Sequence, residues 1–134
     1  MTADERRLLF IELASRLPYG VIIRVQENTE HEFDSYITSV SLNSIETSPI
    51  NESDSGPNVF YRIEYCKPYL RPMSSMTKEE RKEYDIFCLS SYLGIDEESA
   101  SNFVDWLNKK MFDYRGLILR DLAFEAPDGI YNIK

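Results

Sequence analysis

The spacing of the hydrophobic residues changes twice along this chain of 134 residues, and each change limits the secondary structure that can form. Near the N-terminus, leucines recur at every fourth position, which is the spacing of one buried face on an α-helix. These are Leu9, Leu13 and Leu17. Thr2 and Glu5 have the spacing of a capping box, and Pro18 ends the helical pattern. We therefore predict a helix over residues 3–16, within an N-terminal segment 1–17.

Beyond this helix, apolar and polar residues alternate, which is typical of half-buried β-strands. Residues 21–25 are rich in β-branched side chains, residues 36–42 and 59–65 alternate, and residues 45–50 form a shorter segment of the same kind. The stretch NESDSGPN, residues 51–58, has the composition of a turn. Segment 18–66 is therefore predicted to form three or four antiparallel strands, as a small sheet or an SH3-like barrel.

Helical spacing returns in segment 77–134. Thr77 and Glu80 form a second capping-box pattern, which predicts a helix to about residue 90 whose inward face carries Tyr84, Phe87 and Cys88. A third helix is predicted over about 97–111, with an apolar stripe that includes Trp106. Residues 117–124 fit either a strand or a short helix. The whole chain, 1–134, is thus predicted to be one α+β domain.

The segment KPYLRPMSSM, residues 67–76, joins the predicted sheet to the predicted helices. Its two prolines favour an extended backbone, so it can act as a rigid strap between the two parts. It can also be a recognition surface, in which case Tyr69 and Arg71 would project together into solvent. Burial of Tyr69 and Leu70 would favour the strap.

The chain carries 23 acidic and 15 basic residues, a net charge of −8. The excess of negative charge is concentrated between residues 27 and 64, a stretch with eight acidic residues and, among lysine and arginine, only Arg62. The eight are Glu27, Glu30, Glu32, Asp34, Glu46, Glu52, Asp54 and Glu64. Because this charge repels phosphates, nucleic acid is an unlikely partner, and a basic protein surface is the more favourable one.

Two cysteines, Cys66 and Cys88, are too few for a disulfide framework and lack the spacing of metal ligands. They are expected to be reduced, partly buried thiols in a cytoplasmic protein. The N-terminus has no apolar signal region, and no apolar stretch is long enough to span a membrane. We expect no contact with a membrane.

Residues that could support catalysis are sparse. The only histidine, His31, lies in the polar stretch ENTEHEFD, which is interpreted as a solvated loop between two strands. The carboxylates nearby could hold a hard cation, but a solvated acidic face is the favoured interpretation. No nucleotide-binding or metalloenzyme motif is present. We therefore predict a protein that is not an enzyme, with no catalytic residue, metal or cofactor.

Residues typical of protein interfaces occur close together near the end of the third helix. Tyr114 and Arg115 follow Trp106 within ten residues, and all three are types enriched in binding hot spots. Trp106 also fits the apolar stripe of its helix, and the stretch 113–116 fits a helix stop with Gly116 in the left-handed region. Tyr114 and Arg115 are therefore candidate binding residues with a structural alternative.

Several strings resemble a family of small proteins from Bacteroides-type gut bacteria and their phages and prophages. They are RLPYGV at 16–21, CKPYLRPMSSMT at 66–77, DWLN at 105–108, FDYRGL at 112–117, and EAP at 125–127 followed by Tyr131. The chain departs from that family in an acidic insert, 43–58, and at Arg120 and Asp121, where the family has a glycine-containing stretch. The resemblance implies an origin in a mobile element and a cytoplasmic setting. The family has no established activity, so no functional residue is transferred.

These observations favour a non-catalytic, acidic protein-binding module of phage or prophage type that occupies a basic surface on a host or defence protein. Its candidate binding residues are Glu30, Glu32, Asp34, Glu52, Asp54, Tyr69, Arg71, Tyr114 and Arg115. One alternative is a small β-barrel adaptor for nucleic acid that uses the basic residues of the helical half. A second is a small-ligand binder with an aromatic pocket formed by Tyr36, Tyr61 or Tyr65. A homodimer through an exposed sheet edge is also possible.

Overall fold

The computed structural model describes residues 1–28, 30–49, 59–92 and 97–131. They form three α-helices, three single-turn 3-10 helices and one six-stranded, mostly antiparallel sheet. The predicted α+β fold class is confirmed.

The first helix, α1 (Ala3–Arg16), begins and ends where the sequence predicts. The Thr2 hydroxyl accepts a hydrogen bond from the Glu5 N–H at 3.1 Å, and the Glu5 carboxylate accepts one from the Thr2 N–H at 3.0 Å. Leu9 and Leu13 are fully buried against the sheet, as the helical spacing indicates. A 3-10 turn, Leu17–Tyr19, follows α1 and ends at Gly20, whose φ of 75° turns the chain into the first strand.

Four strands that are consecutive in the chain form an antiparallel meander, and two more strands extend the sheet beyond the first of these four. The strands are β1 (Ile22–Asn28), β2 (His31–Val40), β3 (Ser44–Pro49), β4 (Val59–Arg62), β5 (Cys66–Leu70) and β6 (Phe124–Glu125). Their order is β4-β3-β2-β1-β5-β6, and only the β5–β6 pair is parallel. The sheet has more strands than the three or four predicted, and the SH3-like barrel is not confirmed.

The predicted loop around His31 is wrong, because β2 begins at that residue. Asn28 of β1 pairs with His31, so the two paired strands extend into the acidic segment. The strand predicted over 59–65 is too long: β4 ends at Arg62, and a 3-10 turn at Ile63–Tyr65 buries Ile63. The predicted turn at 51–58 lies outside the described residues.

The first part of segment 67–76 belongs to a β-strand and is not an irregular strap. Residues Cys66–Leu70 form β5, which pairs with β1 over three positions, Ile23 with Pro68, Arg24 with Lys67, and Val25 with Cys66. The remainder contains a 3-10 turn, Met73–Ser75, and leads into α2. The β region therefore extends from the predicted limit at residue 66 to residue 70.

Helices α2 (Lys78–Tyr92) and α3 (Glu97–Lys109) pack against each other through aromatic rings. Phe87 lies 5.0 Å from Phe103 and 5.7 Å from Trp106, measured between ring centroids, and Trp106 lies 5.6 Å from Phe112. Cys88, predicted to face inward, is exposed. The buried face of α2 is therefore narrower than the number of apolar residues in this helix suggests. Within the described part of the chain, no helix combines the length and apolar character needed to cross a membrane.

After α3 the chain is held by short turns rather than by a long element. Helix α3 ends at Lys109, two residues before the predicted limit. The Asp113 carboxylate accepts hydrogen bonds from the Leu117 and Ile118 N–H groups at 2.8 and 2.9 Å. Gly116 has the left-handed conformation that the sequence predicts, with φ 74°. Of the strand and helix alternatives for 117–124, the chain adopts turns that lead into the two-residue strand β6.

A charged network is buried beneath α1. The Arg16 guanidinium pairs with the Glu12 carboxylate one helical turn away and donates a hydrogen bond to the Phe112 carbonyl at 2.7 Å. Arg115 approaches the other Glu12 oxygen at 3.1 Å. Glu12 is 1% exposed and Arg16 is 0% exposed, so each charge depends on the other for compensation. The network ties α1 to the segment that follows α3.

We expect Glu12→Ala to lower the free energy of unfolding by about 3–5 kcal/mol, since it leaves the Arg16 charge buried without its carboxylate. Urea denaturation followed by circular dichroism measures the change. The matched control is Arg6→Ala, which breaks the half-exposed pair with Glu64 and should cost less than about 1 kcal/mol. Equal effects of the two substitutions would contradict a stabilising role for the buried network.

Candidate interaction surfaces

Tyr69 does not project into solvent. Its side chain lies in β5 and only 8% of the residue is exposed. The hydroxyl donates a hydrogen bond to the Asp34 carboxylate at 2.8 Å, and the ring lies 5.9 Å from that of Phe124. Burial, followed by the hydrogen bond to Asp34, raises the pKa of the phenol. Tyr69 therefore connects β5 to β2 across β1.

Arg71 connects the end of strand β5 to helix α2 and to the segment that follows α3. Its guanidinium donates two hydrogen bonds to the Glu80 carboxylate, at 2.8 and 2.7 Å, and lies 4.4 Å from the centre of the Phe112 ring. It also donates to the carbonyls of Ser75 and Lys110, both at 3.3 Å. With 17% of its side chain exposed, Arg71 has its donors engaged within the protein. The burial of Tyr69 and Leu70 and the contacts of Arg71 favour the structural interpretation of KPYLRP over a recognition surface.

Glu80 binds Arg71 and also caps its own helix, α2. Its carboxylate accepts a hydrogen bond from the Thr77 N–H at 2.9 Å, and the Thr77 hydroxyl accepts one from the Glu80 N–H at 3.2 Å, so the predicted second capping box is confirmed. The hydrogen bonds from Arg71, together with the Thr77 N–H, lower the pKa of Glu80 to about 2. Glu80 is therefore ionised through the whole physiological range.

The β1–β2 hairpin carries an acidic surface. Arg24 on β1 donates to Asp34 at 3.1 Å and to Glu32 at 3.2 Å, which places both carboxylates on the same face of the sheet. Glu27 and Glu30 are exposed at the hairpin end. The hairpin thus carries four carboxylates against one guanidinium. The predicted residues Glu30, Glu32 and Asp34 are brought together, whereas Glu52 and Asp54 lie outside the described residues.

This acidic surface, defined here as Glu27, Glu30, Glu32 and Asp34 with Arg24, is fixed by internal contacts at Glu32 and Asp34. Asp34 accepts hydrogen bonds from both Arg24 and Tyr69. The hydrogen bonds that Arg24 donates to Asp34 and Glu32 raise the pKa of the guanidinium. Across residues 1–28, 30–49, 59–92 and 97–131, no group of three or more histidine, cysteine or acidic side chains is placed to hold a metal ion. The arrangement presents negative charge without a coordination site, which suits attraction of a cationic surface.

Tyr114 and Arg115 are engaged with the buried network. The Tyr114 hydroxyl donates to the Asn108 side chain at 2.8 Å, and its ring lies between the guanidinium groups of Arg16 and Arg115, at 5.3 and 5.4 Å. Arg115 is partly exposed but pairs with Glu12. Trp106 belongs to the aromatic cluster, and its indole N–H donates to Glu83 at 2.6 Å. These contacts favour the structural alternative for all three residues.

Two further features are an exposed sheet edge and a groove. Strand β4 forms one edge in the strand order, and its Phe60 is 62% exposed, so self-association through this edge stays a prediction for light scattering to test. A groove of about 570 Å³ lies at the start of β1. Tyr19, Tyr36, Tyr131, Lys109 and Lys110 are among the residues that line it.

Sequence reasoning found only one residue of this groove. Tyr36 was expected in an aromatic pocket, but Tyr61, its proposed neighbour, instead packs against Phe33 at 5.4 Å. Tyr131 and Lys109 reach the groove from segments far apart in the chain, which no local pattern indicates. The repeated occurrence of Tyr and Lys was the only available signal, and it is common to many surfaces.

We expect Glu80→Gln to lower the free energy of unfolding at pH 7 by about 3 kcal/mol, because it removes the charge that Arg71 stabilises. The pKa of Glu80 is depressed from its ordinary value of 4.5 to about 2, so this contribution is present above pH 4.5 and lost as the pH falls towards 2. Denaturant titrations between pH 7 and pH 2 should therefore show wild type and variant converging at low pH.

The control is Glu79→Gln, which removes the same charge from an exposed neighbouring position in the same helical turn. Its difference from wild type should stay below about 1 kcal/mol and change little with pH. A constant gap between wild type and Glu80→Gln across the range would contradict the role assigned to the Arg71 contact.

Comparison with known proteins identifies no relative: no protein-family model, no curated protein and no solved structure matches the chain. The resemblance to proteins of Bacteroides-type bacteria and their phages stays a prediction. The function has to be inferred from the chemistry of the surfaces described above.

Proposed function

We propose that the protein is a non-catalytic protein-binding module whose acidic surface docks on a basic surface of a partner protein. The observation that carries this proposal is the β1–β2 hairpin, which carries four carboxylates and a single guanidinium, with Glu32 and Asp34 paired to Arg24. Opposite charge on a partner would accelerate encounter and fix orientation.

The rigidity of the acidic surface supports this proposal. Asp34 is held by Arg24 and Tyr69, and Glu32 by Arg24, so these carboxylates lose little conformational freedom on binding. A binding surface that is ordered in advance loses less free energy to ordering than a mobile one. A regular sheet also presents its side chains at a fixed spacing.

The proposed partner is a host or defence protein that binds nucleic acid through a basic surface. Such a surface binds the anionic phosphates of nucleic acid, and ordered carboxylates can compete with these phosphates for it. In this proposal the protein acts in the cytoplasm as an inhibitor of phage or prophage type, and neither an enzymatic step nor a cofactor is required.

The alternative, a nucleic-acid adaptor built on the helical half, is weakened by the ion pairs found there. Arg71 pairs with Glu80, Arg81 approaches Asp85 at 3.6 Å, and Arg115 pairs with Glu12. Cations engaged with carboxylates are less able to displace counterions from a phosphate backbone.

Affinity capture from a lysate of a Bacteroides-type bacterium tests the proposal. The bait is wild type beside Glu27→Gln/Glu30→Gln/Glu32→Gln, three neutralisations at exposed positions of the hairpin. We expect a partner that wild type retains and the variant loses, and whose affinity, measured with the purified partner, falls steeply as salt is raised.

The matched control is Glu79→Gln/Asp105→Asn/Glu125→Gln, which removes the same charge from three exposed positions elsewhere. It should retain the partner as wild type does. If wild type captures nothing specific at low salt, or if both triple variants behave alike, the acidic surface is not the binding site.

We expect flat gel-shift titrations with single- and double-stranded DNA and with RNA at low salt, because the net charge of −8 opposes phosphate binding. A salt-sensitive shift with any of these probes would instead favour the nucleic-acid adaptor.

A further inference from the structure

The groove at the start of β1 has the features of a small-molecule site. Four stretches of the chain meet there: residues 18–22, which include the turn and the start of β1, Tyr36 of β2, residues 109–111 at the end of α3, and residues 130–131. Its volume of about 570 Å³ lies in the range typical of ligand sites. We propose that this groove binds a small organic anion with a flat apolar body.

The walls and floor of the groove suit a flat apolar body. Ile22 and Met111 are almost completely buried, at 3% and 1% exposed, and line the groove from the side of the protein interior. The rings of Tyr19 and Tyr36 remain exposed. Aromatic rings with free faces stack on planar ligands, and the apolar floor excludes water from beneath them.

The charge at the groove opposes that of the rest of the protein. Lys109 and Lys110 line it, and none of the described lining residues carries a carboxylate. In a chain with 23 acidic and 15 basic residues, the presence of cations alone among the charged residues of this described lining is a local reversal of sign. An anionic group on the ligand is therefore attracted to the lysine side of the groove, next to the aromatic rings.

Hydrogen bonds within the protein hold the groove in shape, and they form without a ligand. The Tyr131 hydroxyl accepts from the Ile22 N–H at 2.9 Å and donates to the Tyr69 carbonyl at 2.8 Å. Burial raises the pKa of this phenol, so it stays protonated and keeps both bonds. On the opposite wall, Gly20 has a φ of 75°, a backbone conformation that fixes the turn at the mouth. A groove formed in advance lowers the free-energy cost of binding.

A matched pair of fluorescent probes tests the proposal directly. The anion is 1-anilinonaphthalene-8-sulfonate, and its neutral counterpart, N-phenyl-1-naphthylamine, has the same aromatic body without the sulfonate. We expect saturable binding of the anion at one site and weaker binding of the neutral probe. The absence of saturable anion binding by the wild type would overturn the proposal.

Two variants separate the charge from the aromatic wall. Lys109→Gln/Lys110→Gln should weaken binding of the sulfonate about tenfold and leave the neutral probe unchanged, since only the ion pairing is lost. Tyr36→Ala should weaken both probes, because it removes a wall of the groove. Lys109→Gln alone, at an exposed position, provides the same test with less risk to the fold, with a loss of about threefold.

The control is Lys78→Gln/Lys82→Gln, which makes the same charge change at two exposed positions of α2 outside the groove. It should bind both probes as wild type does. If this control weakens sulfonate binding as much as the groove variant does, the anion responds to overall charge and the proposed site is wrong. The groove and the acidic surface use different residues, so the outcome is independent of the protein-binding proposal.

Discussion

The contact between Arg71 and Glu80 is the interaction on which the arrangement of the two halves depends. Arg71 ends the run that begins with β5, and its backbone N–H donates to the Met111 carbonyl at 2.7 Å while its carbonyl accepts from the Asp113 N–H at 2.8 Å. Its guanidinium reaches the first turn of α2. One residue therefore positions three segments, and the carboxylate it binds is the same one that caps α2. The start of that helix and the end of the sheet are fixed together.

The same contact positions the groove. Because Arg71 holds the Lys110 and Met111 carbonyls, the end of α3 is kept beside the start of β1. The lysines at that helix end line the groove at the start of β1, whereas the acidic hairpin end lies at the other end of this strand. Separation of opposite charges onto different parts of a small protein allows two surfaces with different partners to coexist.

The sequence predicts elements whose determinants are local, and it fails where the determinants are distant. Both capping boxes depend on residues a few positions apart and are confirmed, as is the left-handed conformation of Gly116. The helix stop at 113–116 is wrong, because α3 already ends at Lys109. The sequence favours a strap for 67–76 and leaves open a recognition surface that would expose Tyr69 and Arg71, because a rigid extended segment fits either role. The same side chains also suit buried hydrogen-bonding positions, and only the positions of Asp34 and Glu80 in space distinguish the two.

The missed strand has a similar explanation. Pro68 lies within β5 and Pro72 follows it, and proline is uncommon inside sheets, so an extended linker was the expectation. The pairing with β1 covers only three positions and leaves Pro72 beyond the strand. Likewise, the groove is assembled from four segments that are separate in sequence. No single-sequence pattern can report which of nine tyrosines share a surface.

The central position of β1 has a consequence for the order of folding. Its pairing with β2 closes a very short loop, whereas its pairing with β5 joins Val25 to Cys66, and the Tyr131 hydroxyl reaches Ile22 across 109 positions. Contacts of large sequence separation form slowly, because the entropy of closing a long loop is lost before any contact compensates it. During synthesis the meander can therefore assemble first with one side of β1 unpaired. The hydrogen bond between Ile22 and Tyr131 can form only after residue 131 has left the ribosome.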